Sequence, residues 1–379
     1  MKNSIDVIVA GHTCIDLIPE FYSGGENITD VLSPGKLVNM GPMVTATGGT
    51  VPNTGGAMEQ FGLKTKLIGK VGNDTLGKAI ISLLQARGTN TDFIKISNSD
   101  STSYSIVLSI PNIDRIPLHS PGANDTFGID DIPMNLMEET KLFHFGYPPL
   151  MRNIFLHEGK ELAKIFQTIK EYGVTTSLDM ARPDPDSPAG KIDWETYLKT
   201  VLPFVDLFHP SIDELVYMID RENFAEFDRK LTNGTPLGGI TREKLDEYSR
   251  KLIAMGAAIV VIKLGNCGLY IQVTADKERL SSEQFGKCYY PAIANWAGRN
   301  QYEACFEAKV AGAIGAGDCT IAGILAGILY HQSLEEAAAS AVGSGSCNVE
   351  KPDALSGIPS WNDLQQRINS NWKKEVQYL

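Results

Sequence analysis

The chain has 379 residues, with 34 basic against 45 acidic side chains and a net charge of −11. That length buries a large core and permits one large α/β unit with a small appendage, while the acidic balance argues against a nucleic-acid scaffold or an anionic membrane partner. Cys14, Cys267, Cys288, Cys305, Cys319 and Cys347 show no CxxC spacing and the histidines no HExxH arrangement, so the chain reads as a reduced, cytoplasmic protein without a structural metal.

The first element is Ile5 to Ala10, an apolar run broken by Asp6. It lacks the pairing of a basic start with a small-residue cleavage site that marks a targeting segment, and it reads as a buried strand. Glu20 to Met43, rich in Gly, Pro and Ser, breaks the rhythm. Gly48 and Gly49 open a loop that ends near Asn53, and Gly55 to Phe61 reads as a short helix packed through Gly55, Gly56 and Ala57. Leu67 to Val71 reads as a strand, followed by Gly72-Asn73-Asp74-Thr75-Leu76-Gly77. Ser101 to Pro117 alternates apolar and polar residues around a polar turn, Asn112 to Arg115, and with Glu20 to Met43 it is expected to form a small sheet outside the core.

Further strands are expected at Lys141 to Phe145, Val174 to Leu178, Leu207 to His209 and Ala258 to Ile262, separated by longer stretches of helical periodicity. This alternation predicts a mostly parallel sheet with helices on both faces. Ligands then bind at the carboxyl ends of the strands, where Asp16, Asp179 and Glu214 are each expected to follow a strand. Glu222 to Gly239 and Ala275 to Lys309 read as loop-rich insertions. Ala311 to Tyr330 is long and almost uncharged, but its glycines and Asp318 mark a buried core helix rather than a membrane span.

Inside that stretch lies Gly315-Ala316-Gly317-Asp318, a glycine turn opening a helix. The glycines let the backbone approach an anion, and the unpaired first-turn N–H groups face the same point. A helix N-terminus also favours a carboxylate, so Asp318 is expected to be ionised with a lowered pKa. An anion hole beside a base suits phosphoryl transfer to a hydroxyl; the bland alternative is a loop with Asp318 as a helix cap.

Two motifs together, Gly48-Gly49 through Asn53 to Gly77 and Gly315-Ala316-Gly317-Asp318 through Gly323, resemble the ribokinase-like (PfkB) family of carbohydrate kinases. The resemblance implies a ribokinase-like three-layer sandwich. Its main unit would span 1–18, 44–99 and 118–379, with a small β lid at 19–43 and 100–117. It implies ATP and magnesium, Asp318 as catalytic base, and Gly315, Ala316 and Gly317 as the anion hole. Asp16, Gly48, Gly49 and Asn53 would bind a small sugar, Gly265 and Gly268 would admit the nucleotide, and Glu214 would reach magnesium through water. A homodimer through the lid is a further implication.

Several positions depart from the pattern. Gly312, Ala313 and Ile314 stand where relatives carry an Asp-Thr pair, so the carboxylate that helps hold a monovalent cation is missing, and potassium use is not implied. Ser211 replaces an asparagine before Glu214. A nucleoside kinase of the same family and a sugar-binding sensor with little turnover are the alternatives. A dinucleotide-dependent dehydrogenase is weak, because no GxGxxG follows the first strand.

Overall fold

The computed structural model describes residues 5–113, 116–376 and 378. Asp114 and Arg115, in the expected lid turn, lie outside the described residues. The strands are β1 (Ile5–Gly11), β2 (Cys14–Pro19), β3 (Met43–Gly48), β4 (Thr65–Gly72), β5 (Ile94–Ser97), β6 (Tyr104–Leu108) and β7 (Ile116–Ser120), then β8 (Thr140–Gly146), β9 (Thr175–Asp179), β10 (Leu207–His209), β11 (Ile259–Lys263), β12 (Leu269–Val273) and β13 (Asn300–Glu303). Nine of them form one sheet in the order β13-β12-β11-β10-β9-β8-β1-β4-β5. It is parallel from β11 to β5 and antiparallel at the β12 and β13 edge.

Strand alternation explains why the sheet is covered twice. In β1, Val7 and Val9 join one apolar cluster while Ile8 and Ala10 join the other. Helices Thr50–Gln60, Thr75–Ala86, Ala316–Leu329 and Leu334–Asn348 cover the first side. Helices Lys160–Glu171, Trp194–Val201, Ile212–Ile219 and Arg242–Ala254 cover the second. Each large aliphatic side chain buried this way contributes about 1.5–3 kcal/mol, so packing rather than helix propensity holds the layers. Among the described residues no helix is long and apolar enough to cross a membrane.

The remaining strands form a small sheet in the order β3-β2-β6-β7. Asp16 of β2 pairs with Ala46 of β3 and Ser105 of β6, and Ser105 pairs with His119 of β7. This corrects the expected boundaries: residues 14–18, 44–48 and 118–120 lie in the small sheet. Between β2 and β3 the described structure is loop with one four-residue helix, Ile28–Val31. The Gly, Pro and Ser composition therefore marks the connection, and the strands flank it. Asp16 lies within a strand rather than after one.

Other expectations shift for identifiable reasons. The helix expected at Gly55 begins at Thr50, because Gly49 at φ +94° turns the chain and Pro52, in the first turn, forfeits no intrahelical bond. Glu222 to Gly239 contains the helix Phe224–Thr232, anchored by buried Phe227, and Ala275 to Lys309 supplies edge strand β13. Neither is simply a loop-rich insertion. Asp74 caps Thr75–Ala86 by accepting the Gly77 N–H at 2.8 Å, and it also accepts the Thr102 hydroxyl at 2.7 Å.

Candidate active site

Gly315 has φ +74° and opens the Ala316–Leu329 helix; a Cβ there would lie 2.7 Å from the Ala354 Cβ. Asp318 follows in the first turn, only 2% exposed. Its Oδ2 accepts from Asn53 Nδ2 at 3.0 Å and from the Tyr147 hydroxyl at 2.9 Å, and its Oδ1 accepts from the Thr54 hydroxyl at 3.2 Å. Three donors from two elements thus fix both oxygens. Burial nevertheless pushes the Asp318 carboxyl above its ordinary value, against these hydrogen bonds and the nearby Lys263 ammonium. The expected lowering by the helix N-terminus is overturned, because desolvation outweighs the turn's partial charge.

Lys263, at the end of β11, was not singled out from the sequence. Its Nζ lies 2.6 Å from Asp179 Oδ1 at the end of β9, with the two side chains 12% and 1% exposed. A Cβ on Gly317 would sit 3.6 Å from the same ammonium, so Lys263 stands beside the glycine turn. Glu214 is buried and accepts the Ser211 N–H at 2.7 Å, capping Ile212–Ile219. Burial works against the Lys263 ammonium, but Asp179, Glu214 and Asp318 outweigh it and hold its pKa above the lysine range. Burial also raises Asp179 and Glu214, opposed by Lys263. Three buried carboxyl groups thus share one ammonium.

On the other side of Asp318 stand Asp16, Gly48, Gly49 and Asn53. The Asp16 carboxylate covers Gly48, where a Cβ would fall 2.3 Å from Asp16 Oδ2; any side chain there displaces it. His12 packs against Gly49, and its Nε2 lies 3.3 Å from Nε2 of His119, which in turn meets the Ser105 hydroxyl at 3.1 Å. Burial lowers both imidazole pKa values, with His119 adding to the effect on His12, so both rings are neutral at physiological pH. Asn53 Oδ1 is buried without a hydrogen-bond partner, an acceptor available to a hydroxyl.

A cavity of about 430 Å³, largely apolar, opens on the opposite side of the turn, bordered by Lys263, Gly265, Gly268, Gly317, Val342 and Tyr378. Gly265 and Gly268 therefore line one space with the glycine turn. Gly268 has φ +102°, and a Cβ there would lie 2.0 Å from the Glu303 carbonyl, whereas Gly265 at φ +60° faces open space. Gly268→Ala is expected to force β12 from β13 and destabilise the protein by more than about 2 kcal/mol, and Gly265→Ala only by the strain of about 1–2 kcal/mol. Equilibrium unfolding of both variants checks the ranking.

The structure brings Asp318, Gly315, Ala316, Gly317, Asn53, Lys263 and Asp179 to one place, between Asp16, Gly48 and Gly49 on one side and Gly265 and Gly268 on the other. Tyr147, Thr54, His12 and His119 were missed as well as Lys263. A signal existed for Lys263, the one charge ending the apolar run Ile259 to Ile262. Tyr147 carries none, since its approach to Asp318 depends on a left-handed turn, φ +67°, after β8.

The model of the pfkB family carbohydrate kinases matches residues 4–361. An uncharacterized sugar kinase of Archaeoglobus fulgidus is 24% identical over 302 residues, covering 80% of this chain and 98% of that protein. A ribokinase of Schizosaccharomyces pombe is 24% identical over 376 residues, covering 96% and 98%. Among solved structures, Arabidopsis thaliana ribokinase complexed with ribose and ATP superposes with a TM-score of 0.71 at 17% identity, covering 97% of this chain and 99% of that one. Fructokinase with bound ATP from Xylella fastidiosa gives 0.69 at 14% identity, covering 96% and 98%. The fold is therefore ribokinase-like.

Proposed function

The chain belongs to the pfkB family of carbohydrate kinases, and on that premise we propose that it transfers the terminal phosphoryl group of ATP to a hydroxymethyl group of a small sugar or sugar derivative. The observation that carries this reading is Asp318, pinned by Asn53, Thr54 and Tyr147 between a polar pocket and a glycine turn that opens on an apolar cavity.

In the pocket, Asp16 and the free Oδ1 of Asn53 accept hydroxyl hydrogens of the sugar, and Gly48 and Gly49 let it approach the backbone. Asp318 receives the proton of the attacking hydroxyl as the new P–O bond forms. The N–H groups of the Gly315–Gly317 turn face the charge that develops on the transferring group, and Lys263 adds a cation beside them. The small sheet acts as a lid that excludes water from the transfer. No covalent bond to the enzyme is needed.

The cavity fits a nucleotide: its glycines admit the base and its apolar walls suit a ring system. Magnesium, when bound with the phosphates, would supply charge neutralisation there. Asp179, whose Oδ2 is unpartnered, and Glu214, through water, would be the residues that hold it. Gly312, Ala313 and Ile314 offer no side-chain carboxylate to a monovalent cation, which leaves a potassium requirement in doubt.

The sugar-kinase reading also retains a homodimer through the lid. ADP formation with magnesium, measured across pentoses, hexoses, sugar acids, sugar phosphates and nucleosides with and without potassium, tests the reading. Turnover confined to one class of hydroxymethyl sugar is expected. Turnover confined to nucleosides moves the chain to that branch of the family, and sugar binding without turnover makes it a sensor.

A further inference from the structure

A continuous chain of buried side chains runs from Asp318 away from both substrate pockets. Thr54 donates to Asp318 Oδ1 at 3.2 Å, and one turn earlier on the same helix Thr50 Oγ1 lies 3.4 Å from Thr54 Oγ1. Thr50 Oγ1 is also 3.4 Å from Nε2 of His144 on β8. His144 Nδ1 lies 2.8 Å from the Ser177 hydroxyl on β9, and that hydroxyl lies 3.0 Å from Nε2 of His209 on β10. Three neighbouring parallel strands thus supply His144, Ser177 and His209, and all five side chains from Thr54 to His209 are fully buried. The chain ends at His209 Nδ1, a buried nitrogen with no partner.

We infer that this chain is a polarised hydrogen-bond relay that holds Asp318 as an acceptor, with His144 as a positioning residue for the base. The direction follows from counting protons. An ionised Asp318 requires Thr54 to donate to it, so Thr54 Oγ1 accepts from Thr50, and Thr50 accepts from His144 Nε2–H. A neutral imidazole then presents a bare Nδ1 to the Ser177 hydroxyl, and Ser177 accepts from His209 Nε2–H. This leaves His209 Nδ1 as a bare lone pair, where the structure has no donor or acceptor. The reversed chain would put an N–H at that point, buried and orphaned, which folded proteins rarely tolerate.

Both imidazoles are neutral. Burial, with Lys263 adding to it, lowers His144 to about 3, and burial with His144 and Lys263 lowers His209 likewise. The relay acts alongside the other groups facing Asp318: Asn53, Tyr147 and Lys263, with Asp179 and Glu214 behind Lys263, and the Cys14 and Cys319 thiols. It rests on the reading of Asp318 as base, but its geometry uses no substrate residue beyond that carboxylate.

Nitrogen-15 NMR of the full-length protein with labelled histidines tests the direction without any substrate: His144 and His209 are both expected as Nε2–H tautomers, and a Nδ1–H His144 overturns the relay. The second arm compares Thr50→Val, which deletes one link at equal volume, with Thr50→Ser, which keeps it. Thr50→Val is expected to move the acid limb of kcat/KM upward, lowering kcat/KM on that limb about three- to tenfold, with Thr50→Ser close to wild type. Superimposable profiles of Thr50→Val and wild type overturn it. Carbon-13 titration of the Asp318 carboxyl in the same variants gives the same comparison if no acceptor is turned over. Asp318→Asn in parallel separates the two ideas: its retained turnover sinks the base, whereas its collapse with an unmoved Thr50→Val limb sinks only the relay.

Discussion

Asp318→Asn is expected to lower kcat by about 10²–10⁴-fold, the usual worth of a positioned general base, with a smaller effect on substrate binding. The same substitution should stabilise the protein. Asp318 is buried and its folded pKa lies above the ordinary aspartate value, so its favourable contribution is present below the unfolded pKa and is lost as pH rises through the folded one. At pH 8 the wild type bears the cost of a buried carboxylate and the variant does not. The amide oxygen can take the place of Oδ2 before Asn53 and Tyr147, while its NH₂ group, a donor, gives up the hydrogen bond that Thr54 donates to Oδ1, a loss of about 1 kcal/mol that is smaller than the relief from burying a charge. Thermal unfolding should therefore show a higher midpoint for Asp318→Asn at pH 8, with the gap closing toward pH 4. The matching kinetic expectation for the wild type is an acid limb above the usual aspartate range. A variant that is both inactive and less stable at pH 8 would refute this account of the site.

Lys263→Met is expected to have the larger structural effect. Removing one partner of a buried ion pair costs about 3–5 kcal/mol, and here the methionine leaves Asp179, Glu214 and Asp318 without their shared cation. The sign with pH follows from the same linkage. All three carboxyl groups have raised folded pKa values and so prefer to hold protons in the folded state. The destabilisation should be greatest at pH 8 and shrink on acidification. Adding Asp179→Asn to Lys263→Met should restore part of the loss. Turnover should fall about 10²–10³-fold even where the variant is folded, since a donor beside developing charge is gone. Denaturation of the single and double variants across pH 5–8, with activity measured in parallel, decides it.

Local features were legible in the sequence and relational ones were not. Gly315-Ala316-Gly317-Asp318 announces itself because a left-handed turn and the helix it opens lie within four residues. The parallel sheet was legible for a similar reason, since strands buried on both faces appear as short aliphatic runs. Lys263 gains its meaning only from the register of β9, β10 and β11, which brings Asp179 to its ammonium across two strand spacings. The small-sheet strands β2 and β3 hid beside a conspicuous loop. The protonation of Asp318 was misjudged because a helix terminus is visible in sequence, whereas complete burial is a property of the assembled layers.

On the proposed function, the acceptor pocket is shared between the two sheets. Asp16, Ser105 and His119 belong to the small sheet, while Asp318 and the Gly315–Gly317 turn belong to the large one. Strand β7, which carries His119, contributes no residue to either large apolar cluster. Substitutions on β7 are therefore expected to cost little folding stability, whereas β2 carries Ile15 into one of those clusters. On the proposed function, β7 is then the place where the acceptor pocket can change at least cost to the fold.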